Sequence, residues 1–324
     1  MIHNMKVLVT VPHGGKDDDE FAPVMAAKIS RFLDSMDVSN IRKINYYPRS
    51  MIDMNRPASR GTDFRNEIEA KLKELTKNDV LIDVHSFPDN DQSPYELYFL
   101  DIHGISIDDS FNKALHTFLV KHGVNAAILA GSQINDIVMQ AMEYGMENLT
   151  LIEFNRSLSH DRLNAITKLV ALFVAAMPTR IVAQTNGVIT EIDNGKITVY
   201  IDVKDNHDIF APVTGKIKNL IAEKGNFDRY LKLFQSWEKK RGRLTIEIEN
   251  VRFLIEVGEG YVTNKIKVKK IVDDKVKRGE IIGHIVLGSL SEIYIPKGHV
   301  ILVTEGQRVV GGKTILALKV KQAS

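Results

Sequence analysis

The feature that most constrains this chain is a change of texture just after Pro178. Before it, apolar runs of strand length alternate with stretches of helical spacing. After it, β-branched runs are cut at short intervals by glycines, from Gly187 and Gly195 through Gly215, Gly279 and Gly283 to Gly306 and Gly311. Strands alternating with helices imply a mainly parallel sheet, and glycine-punctuated short strands imply an all-β unit with tight turns. At 324 residues the chain is also longer than a typical single domain. The expectation is therefore two domains, residues 1–180 and 181–324. The first is α/β, with a mainly parallel mixed sheet and helices on both faces, and the second is all-β.

In the first domain the run Val80 to Phe87 reads as a buried strand, since only Asp83 interrupts its apolar start and Pro88 cannot continue it. It carries His85 to its carboxyl end. Lys6 to Val11 does the same for His13, where Gly14 and Gly15 let the backbone turn. A third run, Leu149 to Arg156, is interrupted by Glu153, a carboxylate that needs a partner or a task if it is buried. Helical spacing is expected from Phe21 to Leu33 (Val24, Ala27, Ile29, Phe32, Leu33), and again over 64–75, 109–121, 136–144 and 161–177. The loop Arg49 to Pro57 sets Asp53 and Asn55 between Arg49 and Arg56, guanidinium groups suited to bidentate capture of a carboxylate.

Composition removes several alternatives. There are no cysteines, so disulfides, thiolate metal sites and a cysteine nucleophile are excluded, and any metal must be held by His, Asp or Glu. A net charge of +2 gives no overall electrostatic case for nucleic acid or an anionic membrane. No run approaches the roughly 20 apolar residues that span a bilayer, and the start of the chain lacks the apolar core of a signal peptide. Cytoplasmic residence is the expectation. His116 and His122 fall on or just beyond a helix and read as packing or surface residues; His103, at a strand end, reads the same way.

Three strand ends thus offer His13, His85 and Glu153. Two neutral imidazoles and a carboxylate can hold zinc with a position open for water, whose pKa the metal lowers to about 7. Read from residues alone, this points to metal-assisted hydrolysis of an anionic small molecule or peptide end.

These motifs also carry a resemblance. Val11 to Gly15, Arg49-Ser50 with Ile52 to Arg56, Ile82 to Ser86 and Ile152 to Arg156 follow the order of the N-formylglutamate amidohydrolases, relatives of the zinc carboxypeptidases and aspartoacylase. The resemblance implies a carboxypeptidase-like fold for the first domain. It also implies that His13 and His85 bind one Zn2+ per chain, that Glu153 is the general base, and that Arg49 polarises the scissile carbonyl or helps bind. Asn55 and Arg56 would hold the substrate carboxylate, with Asn155 and Arg156 as further binding residues. The third ligand is expected at Glu20, with Asp17, Asp18 and Asp19 as alternatives, because Lys16 stands where the relatives have an acid.

The second domain resembles the β-domain of phosphatidylserine decarboxylase, a relative of the biotinyl and lipoyl barrel-sandwiches. Ile209 to Ile217, Val276 to Gly283 and Leu287-Gly288-Ser289 carry the likeness. It implies a chain that cleaves itself between Gly288 and Ser289 and turns the serine into a pyruvoyl group. The preferred reading is nonetheless a zinc-dependent amide hydrolase acting on an anionic N-acyl amino acid or peptide-like substrate, with pyruvoyl formation at Ser289 not expected. Its rivals are the decarboxylase and a non-catalytic binding protein. The β domain would cap, orient or dimerise the hydrolase, so a homo-oligomer is one arrangement open to it. Phe227 to Lys240, with Trp237, is expected as a helix or lid-like insert.

Overall fold

The computed structural model describes residues 5–15, 19–88, 93–102, 110–131, 135–202, 204–223, 242–257, 266–285 and 289–320. The insert expected at 227–240 and His103 lie outside the described residues. Two compact units divide the chain, one running to Pro178 and the other Thr179–Lys319.

The first unit is built on β1 (Val7–Val11), α1 (Phe21–Asp34), β2 (Asn40–Ile44), α2 (Asp63–Leu72), β3 (Val80–Phe87), β4 (Leu97–Ile102), α3 (Ser110–Lys121), β5 (Ala126–Gly131), α4 (Asp136–Glu143), β6 (Asn148–Asn155) and α5 (His160–Ala176). The strands form one sheet in the order β2-β1-β3-β6-β4-β5. Every pairing is parallel except β4 with β6, so the sheet is mixed. All five residues of β1 are buried, as are the first five of β3, which is why neither strand alternates in sequence. Leu8, Leu81 and Leu149 lie abreast across β1, β3 and β6. They join Phe64, Ile68 and Leu72 of α2 and Ile137, Val138 and Ala141 of α4 in one cluster. Elsewhere α3 and α5 meet through Phe111 and Phe118 against Phe173.

In α1 the buried stripe is Ala22, Met25, Ala26, Ile29 and Leu33, whereas Val24 is exposed. Of the apolar residues expected to mark this helix, Ile29 and Leu33 lie on its buried face, and Ala22, Met25 and Ala26 complete that face in place of Val24.

The second unit is antiparallel throughout its described pairings. Its strands are β7 (Ile181–Val182), β8 (Gly187–Asp193), β9 (Lys196–Ile201), β10 (Asp208–Phe210), β11 (Gly215–Glu223), β12 (Gly242–Ile248), β13 (Val251–Val257), β14 (Ile266–Val268), β15 (Lys275–Val276), β16 (Ile281–Ile285), β17 (Ser289–Tyr294), β18 (Val300–Ile301), β19 (Arg308–Val309) and β20 (Ile315–Leu318). They form an eight-stranded sheet and two of three strands. Asn194-Gly195, both at positive φ, close the β8–β9 hairpin in two residues, the chemistry that a tight hairpin demands. Gly187 also has positive φ, and a side chain there would run into the carbonyl of Tyr200. The core is aliphatic, with Phe253 at 0% exposure among Ile189, Ile197, Val199, Ile246, Ile255 and Ile293.

Candidate functional site

Because β1, β3 and β6 are neighbours and parallel, their carboxyl ends lie on one edge of the sheet, where open α/β folds bind ligands. His13 follows the end of β1; on β3 and β6, His85 and Glu153 are direct partners in register. The rings of His13 and His85 lie 5.5 Å apart. A cavity of about 150 Å³ opens here, lined by His13, His85 and Glu153 with Arg49, Asn55, Arg56 and Arg156. Asp19, Asp53, Ser86 and Asn135 line it too.

Behind His85 stands a buried support that the sequence reading did not assign. Asp83, fully buried, accepts hydrogen bonds from Thr10 Oγ1 at 2.5 Å and Asn135 Nδ2 at 2.7 Å, and lies 2.9 Å from His85 Nε2. Burial alone would raise the Asp83 pKa, but His85 and these donors outweigh it and hold the carboxyl below its usual range. Reciprocally, burial would lower the pKa of His85, yet attraction to Asp83 lifts it above the ordinary histidine value. His13 moves the other way, to about 4, because it is buried and faces His85. Burial pushes the Glu153 carboxyl up against the opposing pull of His85. His13, His85 and Glu153, with proton affinities shifted in different directions, therefore line one small cavity, with Asp83 behind His85, a pattern suited to proton transfer.

The arginines form a less open clamp than their spacing suggests. Arg49 donates through Nε and Nη2 to Asp53 Oδ2, at 3.1 and 3.0 Å, and Arg56 Nε lies 3.3 Å from the same oxygen. Arg156 Nε donates to Ser86 Oγ at 2.8 Å. Asp19, 5% exposed, accepts from the Ser86 backbone N–H and hydroxyl and from the Ala22 N–H in the first turn of α1. Glu20, the expected third metal ligand, is exposed and does not line the cavity, whereas its neighbour Asp19 does. Asn155 is likewise outside the lining. Its Nδ2 donates to Tyr95 O and its Oδ1 accepts from Ser157, so it braces the turn after β6. His116 and His122 are bonded to the carbonyls of Ala126 and Phe118.

The donor set gives zinc only partial support. His13 Nδ1 is buried without a hydrogen-bond partner, as a ligating nitrogen would be before metal arrives, and His85 is backed by a carboxylate as ligating histidines usually are. Among the described residues, however, no group of three His, Asp or Glu side chains converges closely enough to hold a metal ion. Asp17 and Asp18 lie outside the described residues.

In the second unit, Ser289 opens β17, its backbone paired with Ile201 of β9 and Val257 of β13; Gly288 lies outside the described residues. The backbone of His207 sits against the end of β16, its carbonyl accepting from Ile285 N–H at 2.9 Å, and its Nε2 is buried without a partner. The other two histidines of this unit are engaged, His284 with Asp208 at 3.1 Å and His299 with the Pro296 carbonyl at 3.0 Å.

Two solved structures are similar at low identity. An N-formylglutamate amidohydrolase from Ralstonia eutropha is 14% identical, with a TM-score of 0.33, over 52% of this chain and 91% of its own. The Agrobacterium tumefaciens gene product Atu2144 is 13% identical, with a TM-score of 0.41, over 54% of this chain and 89% of its own. At such scores these likenesses carry no argument about activity. The sequence model of phosphatidylserine decarboxylase matches residues 172–317. A Methanosarcina barkeri protein bearing the name archaetidylserine decarboxylase proenzyme is 30% identical over 146 residues, 44% of this chain and 70% of that protein. The phosphatidylserine decarboxylase proenzyme of Carboxydothermus hydrogenoformans is 32% identical over 122 residues, 37% of this chain and 57% of that protein. Through its C-terminal half, the chain belongs to the phosphatidylserine decarboxylase family.

Proposed function

We propose that the chain is a decarboxylase whose C-terminal unit matures by cleavage between Gly288 and Ser289 and then acts on a carboxylate-bearing head group of the kind its relatives are named for. This reverses the preference drawn from residues alone. The observation that carries it is the family match itself, whose span, residues 172–317, includes Gly288-Ser289. Relatives named as proenzymes support a chain that is processed before it works. In maturation the Ser289 hydroxyl would attack the Gly288 carbonyl, with His207 the candidate to take its proton, and the Gly288–Ser289 C–N bond would break to leave an ester and a free amine. Elimination of the Gly288 carboxylate would then leave dehydroalanine, whose hydrolysis with release of ammonia leaves the pyruvoyl group. A pyruvoyl group made from that serine supplies an electron sink for loss of carbon dioxide.

A denaturing gel with mass spectrometry tests the reading. Fragments of 288 and 36 residues are expected from the wild type, and one 36.5 kDa chain from Ser289→Ala. An intact wild-type chain would overturn it.

The N-terminal cavity supports a second activity, hydrolysis of an amide in an anionic N-acyl amino acid or peptide-like substrate. The observation in its favour is the pairing in register of His85 with Glu153, whose proton affinity burial raises. Glu153 would draw a proton from water and return it to the leaving amine. The described donors do not complete a metal site, so no step is assigned to zinc.

A further inference from the structure

The cavity at the edge of the N-terminal sheet has two unlike sides, and the strand order β1-β3-β6-β4 sets its parts in a row. At one end Asp53 Oδ1 lies 3.3 Å from His13 Nε2 and Asn55 Nδ2 lies 3.1 Å from His85 Nε2, so the loop that carries Arg49 and Arg56 sits over β1 and β3. Arg156 follows β6 but turns back toward β3, where it donates to Ser86. Glu153 stands next in the row, on β6. Beyond it, on β4, its direct partner in register is Tyr98. Residues opposed in this way project from the same face of a sheet, so Tyr98 flanks Glu153 on one side as His85 does on the other.

The β4 side is apolar. Leu100 and Leu151, two positions from Tyr98 and Glu153 and therefore on the same face, line the cavity. The Tyr98 ring is 4.9 Å from that of Phe87 and 5.4 Å from that of Tyr95, so three half-buried aromatic rings carry this wall outward to the rim. Tyr98 Oη is 2.8 Å from Ser93 Oγ, which engages the phenol and leaves the ring as what this side offers. At about 150 Å³ the cavity has the room that one benzene ring needs. A substrate amide with its carboxylate fills that space, and whatever lies beyond the scissile carbonyl rests on the rim.

We propose that Leu100, Tyr98, Tyr95 and Phe87 form a subsite for an aromatic acyl group, so that the N-terminal unit takes N-aroyl derivatives of an acidic amino acid in preference to N-acetyl ones. The proposal rests on the hydrolysis reading of this cavity. With the carboxylate held at Asn55 and Arg56 and the amide over His85 and Glu153, the acyl group follows the row to β4. There, ring contact and removal of apolar surface from water favour an aromatic group over a methyl. Water then splits the amide C–N bond into an aromatic acid and the free amino acid, and Glu153 passes the water's proton to the nitrogen.

Calorimetry and turnover with N-benzoyl-L-glutamate and N-acetyl-L-glutamate, on the full chain, test it. The benzoyl compound should bind about tenfold more tightly and be hydrolysed with a kcat/KM about tenfold higher. Tyr98→Ala should remove both preferences, and Tyr98→Phe should keep them, because the ring and not the hydroxyl is used. A preference that survives in Tyr98→Ala, with both compounds weakened alike, would make Tyr98 a brace for Glu153 and overturn the subsite. Equal binding of the two compounds by the wild type, or binding of neither, would overturn it without any variant. Preferential binding of the benzoyl compound with turnover of neither would uphold the subsite and overturn the hydrolysis reading instead.

Discussion

Arg65 and Asp136, 71 residues apart in sequence, form a buried ion pair with Nη2 and Oδ2 at 2.7 Å and side-chain exposures of 1% and 2%. Arg65 also donates to the Met54 carbonyl at 2.8 Å and to Gln140 Oε1 at 2.6 Å, while Asp136 N–H bonds the Asn55 carbonyl at 3.0 Å. The pair thereby fixes the loop that presents Asn55 and Arg56 to the cavity.

Asp136→Ala leaves a guanidinium buried without its counter-charge, and a loss of about 3–5 kcal/mol in unfolding free energy is expected from urea titration. The pH dependence has a definite sign. Burial would raise the Asp136 pKa, but hydrogen bonds from Arg60 and Arg65 lower it below the usual value. Its stabilising contribution is therefore complete above the unfolded carboxylate pKa of about 3.9 and is lost as pH falls through the folded value. A variant whose urea midpoint matched the wild type near neutrality would show that the pair is dispensable.

His13 gives a second, separable acid dependence. Held at about 4 when folded, against 6.5 ordinarily, it refuses a proton that the unfolded chain accepts. Its contribution is present above about 6.5 and declines as pH drops toward 4. In chelator-treated protein, His13→Gln should flatten the fall in urea midpoint across that window, and nuclear magnetic resonance should show His85 titrating above His13.

Glu153→Gln should lower amide hydrolysis by the N-terminal unit by about 10²–10⁴-fold, the usual worth of a positioned acid–base group, with the circular dichroism spectrum unchanged. Undiminished hydrolysis would remove Glu153 from the role of base. Fragment formation at Gly288-Ser289 should be indifferent to this substitution, which separates the two activities.

Gly187→Ala combines a positive φ with a collision against the Tyr200 carbonyl. Strain of about 1–3 kcal/mol is the minimum expected, and β8 should lose amide-exchange protection before the N-terminal sheet does.

Strand ends were the most legible part of the site in the sequence. His13, His85 and Glu153 each follow or interrupt an apolar run, and the parallel order of β1, β3 and β6 turns three local signals into one edge. The choice between Asp19 and Glu20 was not legible. Adjacent acids at a helix start differ only in which one the backbone turns inward, and here Asp19 Oδ1 bonds the Ala22 N–H. Asp83 stood in plain view as the one polar residue in the apolar start of β3, but its partners Thr10 and Asn135 come from remote segments. The Arg65–Asp136 pair was not legible, because nothing local to the starts of α2 and α4 shows that they face each other. The arginine loop looked like a clamp for carboxylates, and Asp53, lying within it, already supplies one.

The strand order also carries a consequence for how the protein is made. β6 sits between β3 and β4, so the last strand of the N-terminal unit is inserted among strands synthesised earlier. His13 leaves the ribosome long before Glu153 exists, and until β6 arrives β3 and β4 both present hydrogen-bonding edges meant for it. Those edges are open templates for a wrong partner during that interval. On this topology, nascent chains truncated before Asn148 should be more prone to aggregation than chains released after Asn155.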